Sequence, residues 1–451
     1  MVQKSRQLEL PFEPRGGAPK AERSGQASTA TSGNERSGTS TPLVEALQRE
    51  NLVRALKRVR KNRGSPGIDG MTVDELPEWL REHWPGVREQ LLAGTYQPAP
   101  VRRVVIPKPG GGERQLGIPT VLDRLIQQIL LQVLQPQFDP TFSEHSHGFR
   151  PKRGAHDAIR EARQYVEDGK RWVVDVDVEK FFDRVNHDVL MGRLERRIED
   201  RRVLGLIRRY LNAGILANGV VVERYEGVPQ GGPLSPLLAN VLLDEVDKEL
   251  ERRGHAFVRY ADDLRVYVGS KRAGERVMSS LVRLLERLRL RVNESKSAVA
   301  LAQERPFLGF EIRICKGEPR IRIAGKSVKA LKGRIRTLTR RVRGRSLQQV
   351  VLDLRSYLLG WRNYFDIGAT HTLLYNLDKW IRHRLRAYQL KQWKNHRTIW
   401  KALRSLGISE ANARECAGYV GRWWRGSMLP WVNRALPNHF FDGLGLPRLA
   451  K

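Results

Sequence analysis

Cysteine is almost absent from this 451-residue sequence: only Cys315 and Cys416 occur, far apart and without Cys or His neighbours at metal-ligand spacing. That excludes a disulfide framework and a zinc site, including a zinc-stabilised nuclease module, and leaves two free thiols as the expectation. No stretch approaches the roughly 18 consecutive apolar residues of a membrane-spanning helix, and the start, Met1 to Arg6, lacks the apolar core of a secretion signal. A cytoplasmic protein with no membrane partner is expected. Acidic residues are scarce beside basic ones: 49 Asp plus Glu face 81 Lys plus Arg, for a formal net charge of +32 and a pI near 10.7. Solubility requires far less, so the partner is expected to be a polyanion.

The length calls for two or three cores. Residues 1–40 are rich in Gly, Ser and Thr and poor in apolar side chains, the composition of a flexible tail. A helical pattern (Leu43, Leu47, Leu52, Leu56) then runs into the turn-forming stretch Arg63 to Gly70. Mixed helices and short strands alternate to about Ala324, and from Lys326 the periodicity is helical with little strand. Residues 331–451 hold 24 Lys plus Arg against 6 Asp plus Glu, so 18 of the 32 net charges lie in about a quarter of the chain. Six tryptophans, Trp380, Trp393, Trp400, Trp423, Trp424 and Trp431, are interleaved with them. A solvated basic face over core tryptophans is one reading; phosphate binding fits the lopsided charge better.

Chemistry concentrates in carboxylates. Asp262 and Asp263 sit in Arg259-Tyr260-Ala261-Asp262-Asp263-Leu264, between β-type segments, where a hairpin tip would expose both. Two like charges there are costly unless a cation neutralises them, and a hard divalent ion such as Mg²⁺ takes oxygen ligands and keeps positions for substrate phosphates. In Trp172 to Val178, period-2 alternation puts Asp175 and Asp177 together on the face opposite Trp172, Val174 and Val176. Alternation alone does not separate Asp175 from Asp177. Beside the Asp262–Asp263 turn, such a face would complete a two-metal site for in-line phosphoryl displacement.

Phe181-Phe182-Asp183 follows, placing an aromatic ring near those acids, where it would exclude a ribose 2′-hydroxyl or serve the core. The loop Gly227 to Pro236 allows close backbone approach to a ligand, with Gln230 set to touch a base or sugar. It leads into a helix with Ser235 as the expected N-cap and Pro236 at its first position. Pro107 to Arg114 reads as a hairpin tip whose Lys108 and Arg114 suit a triphosphate.

Taken in order, these segments resemble the reverse transcriptases encoded by bacterial group II introns, most closely the compact class without an endonuclease domain. Tyr260 to Asp263 resembles the family's third palm motif, Asp177 with Phe181-Phe182-Asp183 the first, and Gly227 to Pro236 the second. His147 to Pro151, Asn293 with Lys296, and Phe307 to Phe310 match further blocks. The resemblance implies a right-hand polymerase: an α+β fingers and palm with an antiparallel sheet over 71–325, after a template-holding extension at 41–70. A helical thumb and maturase domain (326–389) and a basic DNA-binding-like segment (390–451) then follow. It implies Asp177, Asp262 and Asp263 as catalytic ligands of two Mg²⁺ ions, Phe182 as steric gate, and Lys108, Arg114 and Gln230 as contacts to deoxynucleoside triphosphate. Arg63, Arg150, Lys296, Arg334 and Arg341 are then contacts to nucleic acid. The implied partners are group II intron RNA, which the protein helps to splice, and target DNA as primer. Two alternatives remain: a maturase with a vestigial polymerase site, and a domesticated enzyme of repair or defence.

Overall fold

The computed structural model describes residues 41–107, 113–217, 220–222, 224–229, 231–342 and 344–450. The expected tail at 1–40, Lys108, Gln230 and the side chain of Arg114 lie outside the described residues. Among the described residues there are ten strands: β1 (Val101–Pro107), β2 (Glu113–Ile118), β3 (Trp172–Val176), β4 (Ile215–Ala217), β5 (Val220–Val222), β6 (Ala256–Tyr260), β7 (Asp263–Val268), β8 (Ala298–Leu301), β9 (Phe310–Cys315) and β10 (Glu318–Ile323). The chain divides into two units, one formed by the described part of 1–154 with Val176–Val266 and Glu275–Ala298, the other by Ala155–Asp175, Tyr267–Gly274 and Val299 onward.

In the first unit, β1 and β2 pair antiparallel with Ile106 opposite Arg114, as the hairpin reading requires, and β4 joins β1 in parallel within the order β2-β1-β4-β5. The helix Val121–Phe138 starts at Thr120, whose hydroxyl accepts from the Asp123 N–H at 3.1 Å. Leu125, Ile126, Ile129 and Leu130 bury it on several sides. Its Asp123 carboxylate is 1% exposed and accepts hydrogen bonds from Tyr96 (2.8 Å), Tyr210 (3.2 Å), Thr120 (2.7 Å) and the Ala99 N–H (3.2 Å). Four donors satisfy a carboxylate that burial alone would make very costly, and burial still pushes its pKa above the usual range. Tyr210 belongs to the helix Arg201–Asn212, where Val203, Leu206, Ile207, Tyr210 and Leu211 form a buried stripe at helical spacing and Asp200 caps the start.

A second four-stranded sheet has the order β6-β7-β3-β8. The two residues between β6 and β7 allow only a hairpin, so these strands run antiparallel. β3 is buried on both faces, since Val173, Val174 and Val176 are all at most 1% exposed. The helix Ser235–Arg252 begins one residue earlier than expected. Leu234 is its N-cap, and the Ser235 hydroxyl donates to the Pro229 carbonyl (2.6 Å), tying the glycine loop instead of capping the helix.

The second unit is mainly helical after the β9–β10 hairpin. The helices Gly325–Leu338, Leu347–Phe365 and His371–Trp393 share a core that includes Leu331, Ile335, Leu354, Leu358, Ile381 and Leu385. Five of the six interleaved tryptophans pack against that core, and Trp424 is 36% exposed. Among the described residues, no helix is long and apolar enough to cross a membrane.

Candidate active site

Asp262 lies in the β6–β7 turn and Asp263 opens β7, and Ala261 before them is left-handed (φ 58°). A non-glycine residue in that region is strained and needs support from its surroundings. The support is a buried ionic network. Arg259, 1% exposed on β6, donates from Nε and Nη2 to both oxygens of Asp247, with Nη2 at 2.5 Å from Oδ2, and from Nη1 to Asn240 Oδ1 and the Ala261 carbonyl, each at 2.9 Å. Asn240 in turn donates to the Gly148 carbonyl at 3.0 Å. A Cβ on Gly148 would lie 2.1 Å from the Ala261 nitrogen, so only glycine admits the turn so closely. The His147-Gly148 block and the acidic turn are thereby one assembly. Sequence reasoning missed Asp247 and Asn240; the available signal was an arginine inside an otherwise apolar strand.

Asp177 lies just past β3, the sheet neighbour of β7. Its N–H donates to Ser297 Oγ (3.0 Å), its carbonyl accepts from the Asn293 N–H (2.8 Å), and the Lys296 ammonium stands 3.5 Å from its carboxylate. The block containing Asn293 and Lys296 therefore wraps around the first acid. The structure also separates the two acids that strand alternation could not. Asp175, with its side chain 14% exposed, pairs with Arg305 at 2.7 Å, whereas the Asp177 side chain is 42% exposed. Asp263, 39% exposed, faces the guanidinium of Arg265 at 3.6 Å.

Phe182 is buried edge-on against Phe181 (centroids 5.1 Å, 80°), and its carbonyl accepts from the Val228 N–H at 2.7 Å. The Gly227 N–H donates to the Val185 carbonyl at 2.7 Å and its carbonyl meets His187 Nε2 at 2.8 Å, so the glycine loop is pinned along the Phe181–His187 segment. Gly227 has φ 90°, and a Cβ there would meet the Asp183 carbonyl at 2.8 Å. The aromatic segment and glycine loop, 45 residues apart in the chain by Phe182 and Gly227, are thus joined through their backbones.

The expected nucleic-acid contacts fall into two groups. Arg63 (left-handed, φ 45°), Arg334 and Arg341 are exposed. Near Arg334, Lys332, Arg336 and Arg384 crowd the Trp380 ring at 5.8, 5.6 and 5.3 Å, concentrating positive charge. Arg150 is different: its side chain is 4% exposed, pairs with Asp139 at 2.8 Å and donates to the carbonyls of Ser143 and Ser146. It shapes the 139–150 loop, and Lys296 stands on a carboxylate.

Among the described residues, no group of three or more His, Cys, Asp or Glu side chains is arranged to hold a metal ion. The donors at this site are nevertheless carboxylate oxygens alone, and Asp177 and Asp263 are partly exposed, each beside a cation. Mg²⁺ binds in that manner, through one or two carboxylates with phosphates and water completing its shell, and does not need a closed protein cage. The donor set fits a hard divalent ion.

Residues 106–312 match the family described as "Reverse transcriptase (RNA-dependent DNA polymerase)", and residues 328–406 match "Group II intron, maturase-specific domain". Protein YkfC of Escherichia coli K12 is 35% identical over 293 residues, covering 56% of this chain and 77% of that protein. The group II intron-encoded protein LtrA of Lactococcus lactis is 38% identical over 195 residues, 43% of this chain and 32% of LtrA. The putative COX1/OXI3 intron 1 protein of Saccharomyces cerevisiae is 28% identical over 354 residues, 66% of this chain and 40% of that protein. The chain thus spans about a third of LtrA and three quarters of YkfC. Reverse transcriptases generally use divalent metal ions, and the maturase-specific domain implies an intron RNA partner. With a fingers-and-palm domain followed by a maturase-specific helical domain, the chain belongs to the reverse transcriptase–maturases encoded by group II introns, RNA-directed DNA polymerases that assist splicing.

Proposed function

We propose that this chain extends a target-DNA primer on its own group II intron RNA, within a cytoplasmic ribonucleoprotein whose assembly also aids splicing. The observation that carries the reading is the partly exposed Asp263 opening β7, beside a turn whose Ala261 carbonyl is held by Arg259, with Asp177 just past the end of the neighbouring strand. Asp177, Asp262 and Asp263 would hold two Mg²⁺ ions, which when bound supply positive charge to the attacking and leaving oxygens. The primer 3′-oxygen attacks the α-phosphorus of a deoxynucleoside triphosphate, and the bond to pyrophosphate breaks. The chain's own part is positioning, since phosphoryl-type transfer asks little covalent chemistry of the protein.

Lys108 and Arg114 at the β1–β2 hairpin grip the triphosphate, Gln230 touches the incoming nucleotide, and the Phe182 ring rejects a 2′-hydroxyl. Arg63, Arg334 and Arg341 take phosphates of template and intron. Arg150 acts indirectly by shaping its loop, and Lys296 holds the charge of Asp177 until a metal replaces it. The test is primer extension on an RNA template. Asp262→Asn is expected to abolish DNA synthesis and to leave intron RNA affinity within about twofold, because exposed cations supply most of that binding. Equal loss of both, or an unaffected synthesis rate, contradicts the assignment.

A further inference from the structure

The second unit holds a groove of about 910 Å³ between the helix His371–Trp393 and the segment from Ser427 to Ala450. That far wall lies outside both matched families, which end at residue 406. One face of the helix presents His371, Tyr375, Lys379 and His383 to the groove, each four residues after the last. Four residues advance about 6 Å along a helix and return to nearly the same side, so the four form a ridge. Three are rings and one is a cation.

The rings are arranged for stacking. His371 lies parallel to Tyr375 (14°, centroids 6.1 Å), Lys379 caps the Tyr375 ring at 5.4 Å, and His383 lies on Trp424 at 3.7 Å. Tyr375 is 51% exposed, which is far more than a core tyrosine shows. Burial lowers the pKa of His383, so its ring is a neutral stacking surface at neutral pH. Asn433 and Asn438 bring amide edges to the opposite wall.

The charges point to an anionic ligand. Arg382 and Arg448 share Asp442, and Arg382 also pairs with Asp378, so their charges are answered within the protein. Arg386 is not so provided for. It is 7% exposed, donates to the Leu436 carbonyl (2.8 Å) and Asn438 Oδ1 (3.3 Å), and stands 5.6 Å over the Phe441 ring. No carboxylate is among its described partners. Burial pulls its pKa down to about 10, which still leaves it charged at neutral pH. A buried guanidinium answered only by neutral dipoles is costly, and a phosphate would relieve that cost.

We propose that this groove binds unpaired RNA, with a base on the Tyr375 ring and flanking phosphates on Lys379 and Arg386. Rings interleaved with cations recognise single strands in this way, since every base has a stacking face and every linkage a charge. A regular duplex buries its base faces and cannot use the ridge. The inference rests on the proposed function only in taking RNA as the partner.

The test uses the full chain and fluorescence anisotropy with three labelled probes: an unstructured 12-nucleotide RNA, DNA of the same sequence, and a blunt RNA hairpin. Tyr375→Ala is expected to weaken single-stranded RNA binding roughly five- to a hundredfold, the range that loss of one stacking ring produces. Hairpin affinity should stay within about twofold and the salt slope unchanged. Lys379→Ala should lower the slope by about 0.7, as expected for one lost phosphate contact on a single strand. Tyr375→Phe should bind as wild type, and a thermal melt equal to wild type shows that the alanine variant is folded. Equal Tyr375 dependence on DNA would show that the groove does not read the sugar, and supports the site. Single-stranded RNA binding within twofold of wild type for Tyr375→Ala, an equal loss on the hairpin, or Tyr375 dependence on DNA alone overturns the proposal. Asp262→Asn should bind the RNA probe normally, so failure of the polymerase reading and failure of the groove are separable.

Discussion

The network beneath the acidic turn makes a strong demand on stability and catalysis together. Arg259 and Asp247 have side chains only 1% and 0% exposed, and the pair is bidentate. Removing one partner leaves a buried charge without its counterion, which costs about 3–5 kcal/mol. At roughly 2–4 °C per kcal/mol for domains of this size, Asp247→Leu should lower the melting temperature by about 6–20 °C. Replacing both partners by apolar residues of similar volume is often neutral or better, so Asp247→Leu with Arg259→Met should recover most of that loss. Activity should behave differently. Without Arg259, the Ala261 carbonyl loses its guanidinium donor, the left-handed turn relaxes, and misplacement of the reacting groups by about 1 Å costs on the order of a hundredfold in rate. The assay is a thermal melt beside single-turnover primer extension. A double variant that regains stability but extends primers about a hundredfold more slowly, with template affinity intact, is the expected result. A double variant with the wild-type rate refutes the positioning argument, and a single variant melting within 1 °C of wild type refutes the ion-pair reasoning.

Two further outcomes follow from groups already described. Asp123 has its pKa raised by burial, which outweighs its four hydrogen bonds, so between its unfolded and folded values the folded chain binds more protons. Stability should therefore fall as pH rises through the raised value, by up to about 1.4 kcal/mol per unit; Asp123→Asn should flatten this slope in denaturant melts from pH 4 to 7, and an unchanged slope would count against it. Lys296 competes with a metal for Asp177 through a pair that is 61% and 42% exposed, worth at most about 1 kcal/mol in water. Lys296→Ala should thus lower the Mg²⁺ needed for half-maximal synthesis by up to about fivefold, whereas an unchanged requirement with a shallower salt dependence of RNA binding would make it a phosphate contact.

Much of the site was legible because its residue types have few other uses. Adjacent acids between two strands, a glycine-proline loop before a helix and an acidic strand end each constrain local backbone and charge, and their order named the family. The change to helical periodicity likewise appears where it was read, with a helix beginning at Gly325. Local pattern did not reach pairings between distant positions. It assigned Ser235 to capping, where the fold turns its hydroxyl back on Pro229. The family resemblance placed Arg150 on nucleic acid, and the fold surrounds it with Asp139 and main-chain carbonyls.

By itself, the sequence determined the chemistry available: three acids in motif order, a basic helical half, and a partner that must be anionic. Tertiary structure decided which charges remain open to that partner. Asp175 and Asp177 are equivalent along a strand until Arg305 neutralises one and Ser297, Asn293 and Lys296 gather at the other. Arg382 and Arg386 are equally basic in the chain, yet Asp378 and Asp442 answer only the first. A charge acquires its role from the counter-charge and solvent that the fold brings to it, and both come from residues too distant in the chain for local pattern to specify.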